Sequence, residues 1–170
     1  EQLRRWIASE GLPGYRTGQL LRRLWVAPIA SWQEATELPH SLRDRLDQEW
    51  PLPRVVADVV QQSQDGTRKY LWSLPDGEKI ESVLIPSAGR RTLCVSSQVG
   101  CAIGCKFCRT GEMGLKRSLS TPEILGQVLG VQEEIARIQS EPDEGIRPEF
   151  FTNMVFMGMG EPLHNLDNIL

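Results

Sequence analysis

All four cysteines of the chain lie between Cys94 and Cys108, and no other feature constrains it as much. Cys101, Cys105 and Cys108 follow the spacing C-x3-C-x2-C, with Gly100 and Gly104 alongside to free the backbone for a tight turn. Such a loop is expected to bring three thiolates to one point. Three thiolates suit an iron–sulfur cluster with one iron left open. Structural zinc fits less well, because it normally takes four protein ligands and the two histidines, His40 and His164, are distant in sequence. Disulfides fit least: fifteen residues hold every cysteine of the chain, which reads as a metal loop rather than an exported framework.

The remaining composition is ordinary. A chain of 170 residues, 40% hydrophobic and 24% charged, holds one domain, or a small domain plus part of a larger one. No apolar run has membrane-spanning length and none has the layout of an export signal, so a cytoplasmic protein with reduced thiols and no membrane partner is expected. The net charge of −3 argues mildly against a nucleic-acid partner. It hides a gradient, however: residues 94–120 hold four basic residues against one acidic, and residues 121–170 two against nine. A basic loop beside the cysteines could meet a phosphate backbone, or simply be solvated.

Along the chain, residues 1–50 read as a small helical unit. Leu3, Trp6 and Ile7 form one apolar face, Gly11 to Gly14 break it, and Leu20, Leu21, Leu24 and Trp25 form a second that Pro28 ends. A third segment carries Trp32, Leu38, Leu42, Leu46 and Trp50, with a break at Pro39 and a helix start at Ser41. Arg16, Arg22 and Arg23 sit on the polar side of the second helix, as solvated surface or an RNA contact. From Arg54 the period changes to short β-rich runs at 55–60, 69–74 and 80–85, separated by Gln-Asp-Gly-Thr and Pro-Asp-Gly-Glu, an antiparallel meander. Residues 86–91 read as a loop, and 92–96 as a strand feeding the cysteines. Ser120-Thr-Pro-Glu opens an amphipathic helix of about eighteen residues. An acidic loop at 140–148 leads to Phe151–Met157, an apolar run expected to be a buried parallel strand. Strand, cysteine loop, helix and strand make a βαβ unit. The chain reads as an N-terminal fragment of a longer protein, since a last parallel strand would otherwise leave an open edge.

The cysteine spacing, with the aromatic Phe107 just before Cys108, resembles the signature of the radical S-adenosylmethionine (SAM) superfamily. That resemblance implies a [4Fe-4S] cluster whose fourth iron is held by the amino and carboxylate groups of SAM. Three further strings narrow it: Ile80-Glu-Ser-Val-Leu-Ile-Pro, Cys94-Val-Ser-Ser-Gln-Val-Gly-Cys and Phe156-Met-Gly-Met-Gly-Glu-Pro-Leu. With them the whole chain resembles the radical-SAM RNA adenine methyltransferases. These methylate carbon 2 of an adenine in large-subunit ribosomal RNA and certain transfer RNAs, and a paralogous branch methylates carbon 8.

The resemblance implies an α/β chain in three parts: a helical accessory domain at 1–50, a β-hairpin connector at 51–91, and the first βα units of a partial (β/α) barrel at 92–170. Carried over by position, Cys101, Cys105 and Cys108 would ligate the cluster. Gly158, Met159, Gly160 and Glu161 would bind the methionyl end of SAM, Phe107 would touch its adenine, and Glu81 would hydrogen-bond the target adenine. Cys94 matches the cysteine that resolves a covalent RNA intermediate. Its plain reading is a buried strand thiol, as that of Glu81 is a solvent-facing strand residue. The family's methyl-carrying cysteine lies downstream and is absent here, so the isolated chain is expected to bind SAM weakly and methylate nothing. Ribosomal RNA, transfer RNA and a flavodoxin-type electron donor are the implied partners. The alternatives are the carbon-8 branch and a non-catalytic iron–sulfur or zinc RNA-binding module.

Overall fold

A computed structural model of the chain describes residues 1–138 and 151–170. The acidic loop expected at 140–148 lies outside the described residues.

The helical unit follows its punctuation. Helix α1 (Gln2–Ser9) and helix α2 (Tyr15–Trp25) flank the glycine-rich break. Ser31 caps a 3-10 turn, Trp32–Glu34, by accepting the Gln33 N–H at 3.2 Å. Helix α3 (His40–Glu49) starts directly after Pro39, one residue ahead of the expected Ser41. Ile7, Leu20, Trp32, Leu38, Leu42 and Leu46 form its core, each fully buried aliphatic side chain contributing about 1.5–3 kcal/mol. Leu21 and Trp25, expected on the buried face, are 39% and 41% exposed.

Arg23, one of the three arginines noted on α2, is held by Glu37 through two hydrogen bonds of 2.7 Å. The guanidinium lowers the Glu37 pKa from 4.5 to about 2. Because the folded value is the lower one, the contribution of this pair is complete above about pH 4.5 and is lost as the pH falls toward 2. For a partly exposed pair it amounts to less than about 1 kcal/mol. Urea midpoints of the wild type and Glu37→Gln should therefore differ at pH 6 and converge near pH 2.

Strands β1 (Val56–Gln62), β2 (Arg68–Ser73), β3 (Lys79–Ser87) and β4 (Arg90–Cys94) form the antiparallel meander. Its first two turns share one device: Asp65 accepts the Thr67 N–H at 2.9 Å and Asp76 the Glu78 N–H at 3.1 Å, each followed by a positive-φ glycine. The loop expected at 86–91 is instead a hairpin. Ser87 pairs with Arg90, and Ala88-Gly89 makes a two-residue turn with Gly89 at φ 71°.

Helix α5 (Thr121–Ile138) has the expected length and crosses to β7 (Asn153–Val155), which pairs parallel with β4. The sheet order is β1-β2-β3-β4-β7, unbroken across residue 91. Tyr70, Trp72, Ile80 and Leu93 form one buried core with Val128 and Val131 of α5. The strand expected to be buried, β7, is only three residues long, and its Met154 is 42% exposed. It is the last strand of the described sheet, so one of its edges has no neighbour there.

Periodicity gave no hint of three short elements that frame the cysteines. Strand β5 (Gln98–Gly100) and strand β6 (Leu115–Ser118) pair antiparallel around helix α4 (Arg109–Glu112). Helix α6 (Leu166–Ile169) closes the described chain, with Thr121 Oγ1 donating to Asn168 O at 2.8 Å. Among the described residues, no helix is long and apolar enough to cross a membrane.

Candidate cluster loop and active-site face

The cysteine loop is strung between β5 and β6 and closed by backbone contacts. The Cys101 N–H donates to Gly114 O at 3.0 Å, and the Cys108 N–H to Cys105 O at 3.0 Å. Gly100 stands at φ 76°, and a Cβ there would lie 1.8 Å from Gly114 O, so no other residue closes the loop this way. Cys108 precedes the first residue of α4, where the N–H groups of Gly111 and Thr110 point at its thiol and hold its pKa below the usual cysteine value. Cys101, Cys105 and Cys108 are all half-buried, and none is disulfide-bonded.

Among the described residues, no three His, Cys, Asp or Glu side chains are gathered closely enough to hold one metal ion. A cubane cluster makes a different demand, because each cysteine ligates its own iron at a separate corner. The donor set fits that group: three thiols on one short loop, accessible, with a backbone fixed by glycine.

Past β7 the chain is stitched to the segment that leads into this loop. The Gly158 N–H donates to Val95 O at 3.1 Å, and Met159 O accepts the N–H groups of Ser97 at 2.8 Å and Gln98 at 3.2 Å. The Glu161 N–H reaches Gln98 Oε1 at 2.9 Å. A Cβ at Gly158 would stand 2.8 Å from Val95 O, and one at Gly160 2.7 Å from Gln98 N. Both glycines are what lets the turn lie so close. Glu161 also caps a 3-10 turn, Pro162–Asn165, by accepting the Leu163 N–H at 3.2 Å.

Strand register sorts the other site residues by face. Val83 stands opposite Cys94, and Cys94 opposite Val155. Side chains alternate along a strand, so Glu81, Val83 and Cys94 share the face turned away from α5, while Ile80, Ser82, Leu84 and Leu93 point beneath it. Glu81 and Cys94 thus lie on adjacent strands of the same sheet face. The Glu81 carboxylate meets Lys69 Nζ at 2.9 Å, both side chains being about half exposed. Lys69 escaped sequence reading, although strand alternation and the hairpin register would have found it. Cys94 is 8% exposed, and burial pushes its thiol pKa up, partly offset by the Met157 N–H. Phe107 is 94% exposed at the loop surface.

The basic stretch around the cysteines is largely neutralised within the protein. Lys116 pairs with Glu78 at 2.7 Å, and Arg117 with Asp76 at 2.6 Å and Glu123 at 2.8 Å, which ties β6 to the β2–β3 turn and to α5. Arg109 pairs with Glu112.

A sheet entered through a helical unit, with a three-cysteine loop ahead of the crossover helix and a glycine turn after the parallel strand, defines the class: a radical SAM fold. The crystal structure of a radical SAM methyltransferase from Sphaerobacter thermophilus matches it with a TM-score of 0.83 at 38% identity, covering 98% of this chain and 47% of that one. No family model matches the chain. Dual-specificity RNA methyltransferases RlmN are similar throughout: that of Syntrophobacter fumaroxidans is 46% identical across 99% of the chain, RlmN 2 of Myxococcus xanthus 46% across 99%, and that of Geobacter sulfurreducens 42% across 100%. Over nearly its whole length the chain is similar to these radical SAM RNA methyltransferases. It spans about half the length of these relatives, 46%, 44% and 43% respectively.

Proposed function

We propose that the protein serves a radical SAM enzyme that methylates carbon 2 of an adenine in large-subunit ribosomal RNA and transfer RNA. The observation that most supports this reading is that the segment leading into the cysteine loop and the Gly158–Glu161 turn are stitched together at the end of a sheet whose face away from α5 carries Glu81 and Cys94.

Cys101, Cys105 and Cys108 would hold three irons of a [4Fe-4S] cluster. Met159 O is already engaged by two N–H groups, so the carbonyls of Gly158 and Gly160, with the Glu161 carboxylate, would accept from the SAM ammonium, a cation that only donates. Phe107 would offer its exposed ring to the SAM adenine. When bound, cluster and SAM supply an electron and a carbon radical. Carbon 2 of adenine needs such chemistry because it is electron-poor and bears only hydrogen, so it is no nucleophile toward a sulfonium methyl. Glu81 would hold the adenine, and Cys94, on the adjacent strand, would release the product from its covalent link to the enzyme. A low-potential flavodoxin-type donor and a cytoplasmic location complete the reading.

The anaerobically reconstituted chain should carry about four iron and four sulfide, and SAM should alter the electron paramagnetic resonance spectrum of its reduced cluster. One zinc per chain without sulfide would overturn the proposal in favour of an RNA-binding module. A product methylated at carbon 8 by the intact enzyme would move the chain to the other branch.

A further inference from the structure

Strand β4 ends at Cys94, yet the backbone beyond it is not left to solvent. The carboxamide of Gln127, reaching from α5 and completely buried, pairs with both main-chain groups of Ser96: Oε1 accepts the Ser96 N–H at 2.9 Å and Nε2 donates to Ser96 O at 3.0 Å. A side chain thus supplies the missing rung of the sheet. Gln127 Oε1 also accepts from Ser82 Oγ at 2.7 Å, and Ser82 Oγ accepts from Trp72 Nε1 at 3.0 Å.

This arrangement frees the Ser96 hydroxyl, itself 0% exposed, for a different task. It donates to Glu81 O at 2.6 Å and accepts the Met159 N–H at 2.8 Å. One oxygen atom therefore joins the strand that carries Glu81 to the turn that carries Gly158–Glu161. Ser97, its neighbour, is equally buried at 2% exposed, but its hydroxyl makes no hydrogen bond among the described residues, and only its backbone reaches Met159.

We propose that Ser96, held in place by Gln127, is a positioning residue that fixes the SAM-side turn relative to the strand of the substrate-side Glu81. The inference rests on the reading of these two elements given above. Buried hydrogen bonds suit the task because they are directional, and breaking one leaves both partners unpaired in a dry environment. Loss of Ser96 Oγ would strand the Met159 N–H and Glu81 O together. Gly158 and Gly160 leave the turn little intrinsic stiffness of its own.

Ser96→Ala and Ser97→Ala make a matched pair, since each removes one hydroxyl from adjacent, equally buried positions. Amide hydrogen exchange in the chain without cofactors reads the tether directly. Ser96→Ala should speed exchange of the Met159 amide at least about tenfold, the loss of roughly one buried hydrogen bond, while Ser97→Ala leaves it unchanged. In the cluster-reconstituted protein, Ser96→Ala should weaken SAM by a similar factor at unaltered iron content. Equal exchange and equal SAM affinity in the two variants would overturn the proposal. Should Ser96→Ala fail to fold, Gln127→Met, which removes the rung without changing size, is read in the same two assays. Failure of both to fold while Ser97→Ala folds would mean a purely structural network and would also overturn it. A wild type whose cluster ignores SAM would instead sink the underlying functional reading, and the exchange result would stand apart from it.

Discussion

Alanine in place of Cys101, Cys105 or Cys108 should abolish the broad visible absorbance of the anaerobically reconstituted protein, whereas Cys94→Ala should keep it. The three loop cysteines sit on a backbone closed by the Cys101–Gly114 and Cys108–Cys105 hydrogen bonds. Cys94 belongs to β4, where its side chain faces Val83 and Val155 across neighbouring strands. Removing one thiolate leaves two iron-bound ligands where the cluster needs three. The protein should stay folded, since half-exposed loop positions tolerate substitution within about 0.5 kcal/mol. Far-ultraviolet circular dichroism separates a lost cluster from a lost fold. A Cys94→Ala protein that loses the cluster equally would show that the assignment of the four thiols is wrong.

If the intact protein acts as proposed, Cys94→Ala should retain cluster and SAM binding, lose turnover, and accumulate a covalent protein–RNA species. Cys94 is buried on the same sheet face as Glu81, one strand away, and burial favours its neutral thiol form at rest. A cysteine that only packed would behave differently. Its loss would cost about 1 kcal/mol in stability, at the small end of large-to-small changes, and spare the reaction. Denaturing gel electrophoresis after incubation with RNA, SAM and reductant distinguishes the two. A fully active variant with no RNA-shifted band would leave Cys94 as core alone.

Much of the frame was legible because it is local. The Asp-Gly turns at 65–66 and 76–77 announce hairpins, since the carboxylate captures an N–H two residues on and glycine accepts positive φ. The Ser120–Glu123 start of α5 is equally plain: Glu123 reaches back to the Ser120 N–H at 2.8 Å. Cysteine spacing marked the loop before any coordinate did. The same local logic misjudged residues 86–91, where composition read as a loop and the Ser87–Arg90 pairing extended the hairpin.

Distance in sequence decided the rest. Strands of three or four residues such as β5 and β6 have no stability of their own, so no periodicity can betray them. They exist because Gly100 lets the backbone at Gly114 approach. Lys116 and Arg117 read as a basic surface until the fold brought Glu78, Asp76 and Glu123 against them. The sequence by itself determined which residues are candidates for the chemistry, because thiol spacing, turn residues and helix caps act within a few bonds of one another. Only the tertiary structure decided how those pieces face each other. Ser96 meets Glu81 and Met159 across 15 and 63 residues of chain, and Gln127 meets Ser96 across 31. Such contacts arise from closing the sheet under α5, and a buried serine or glutamine looks in sequence like any solvated one until that closure removes the water.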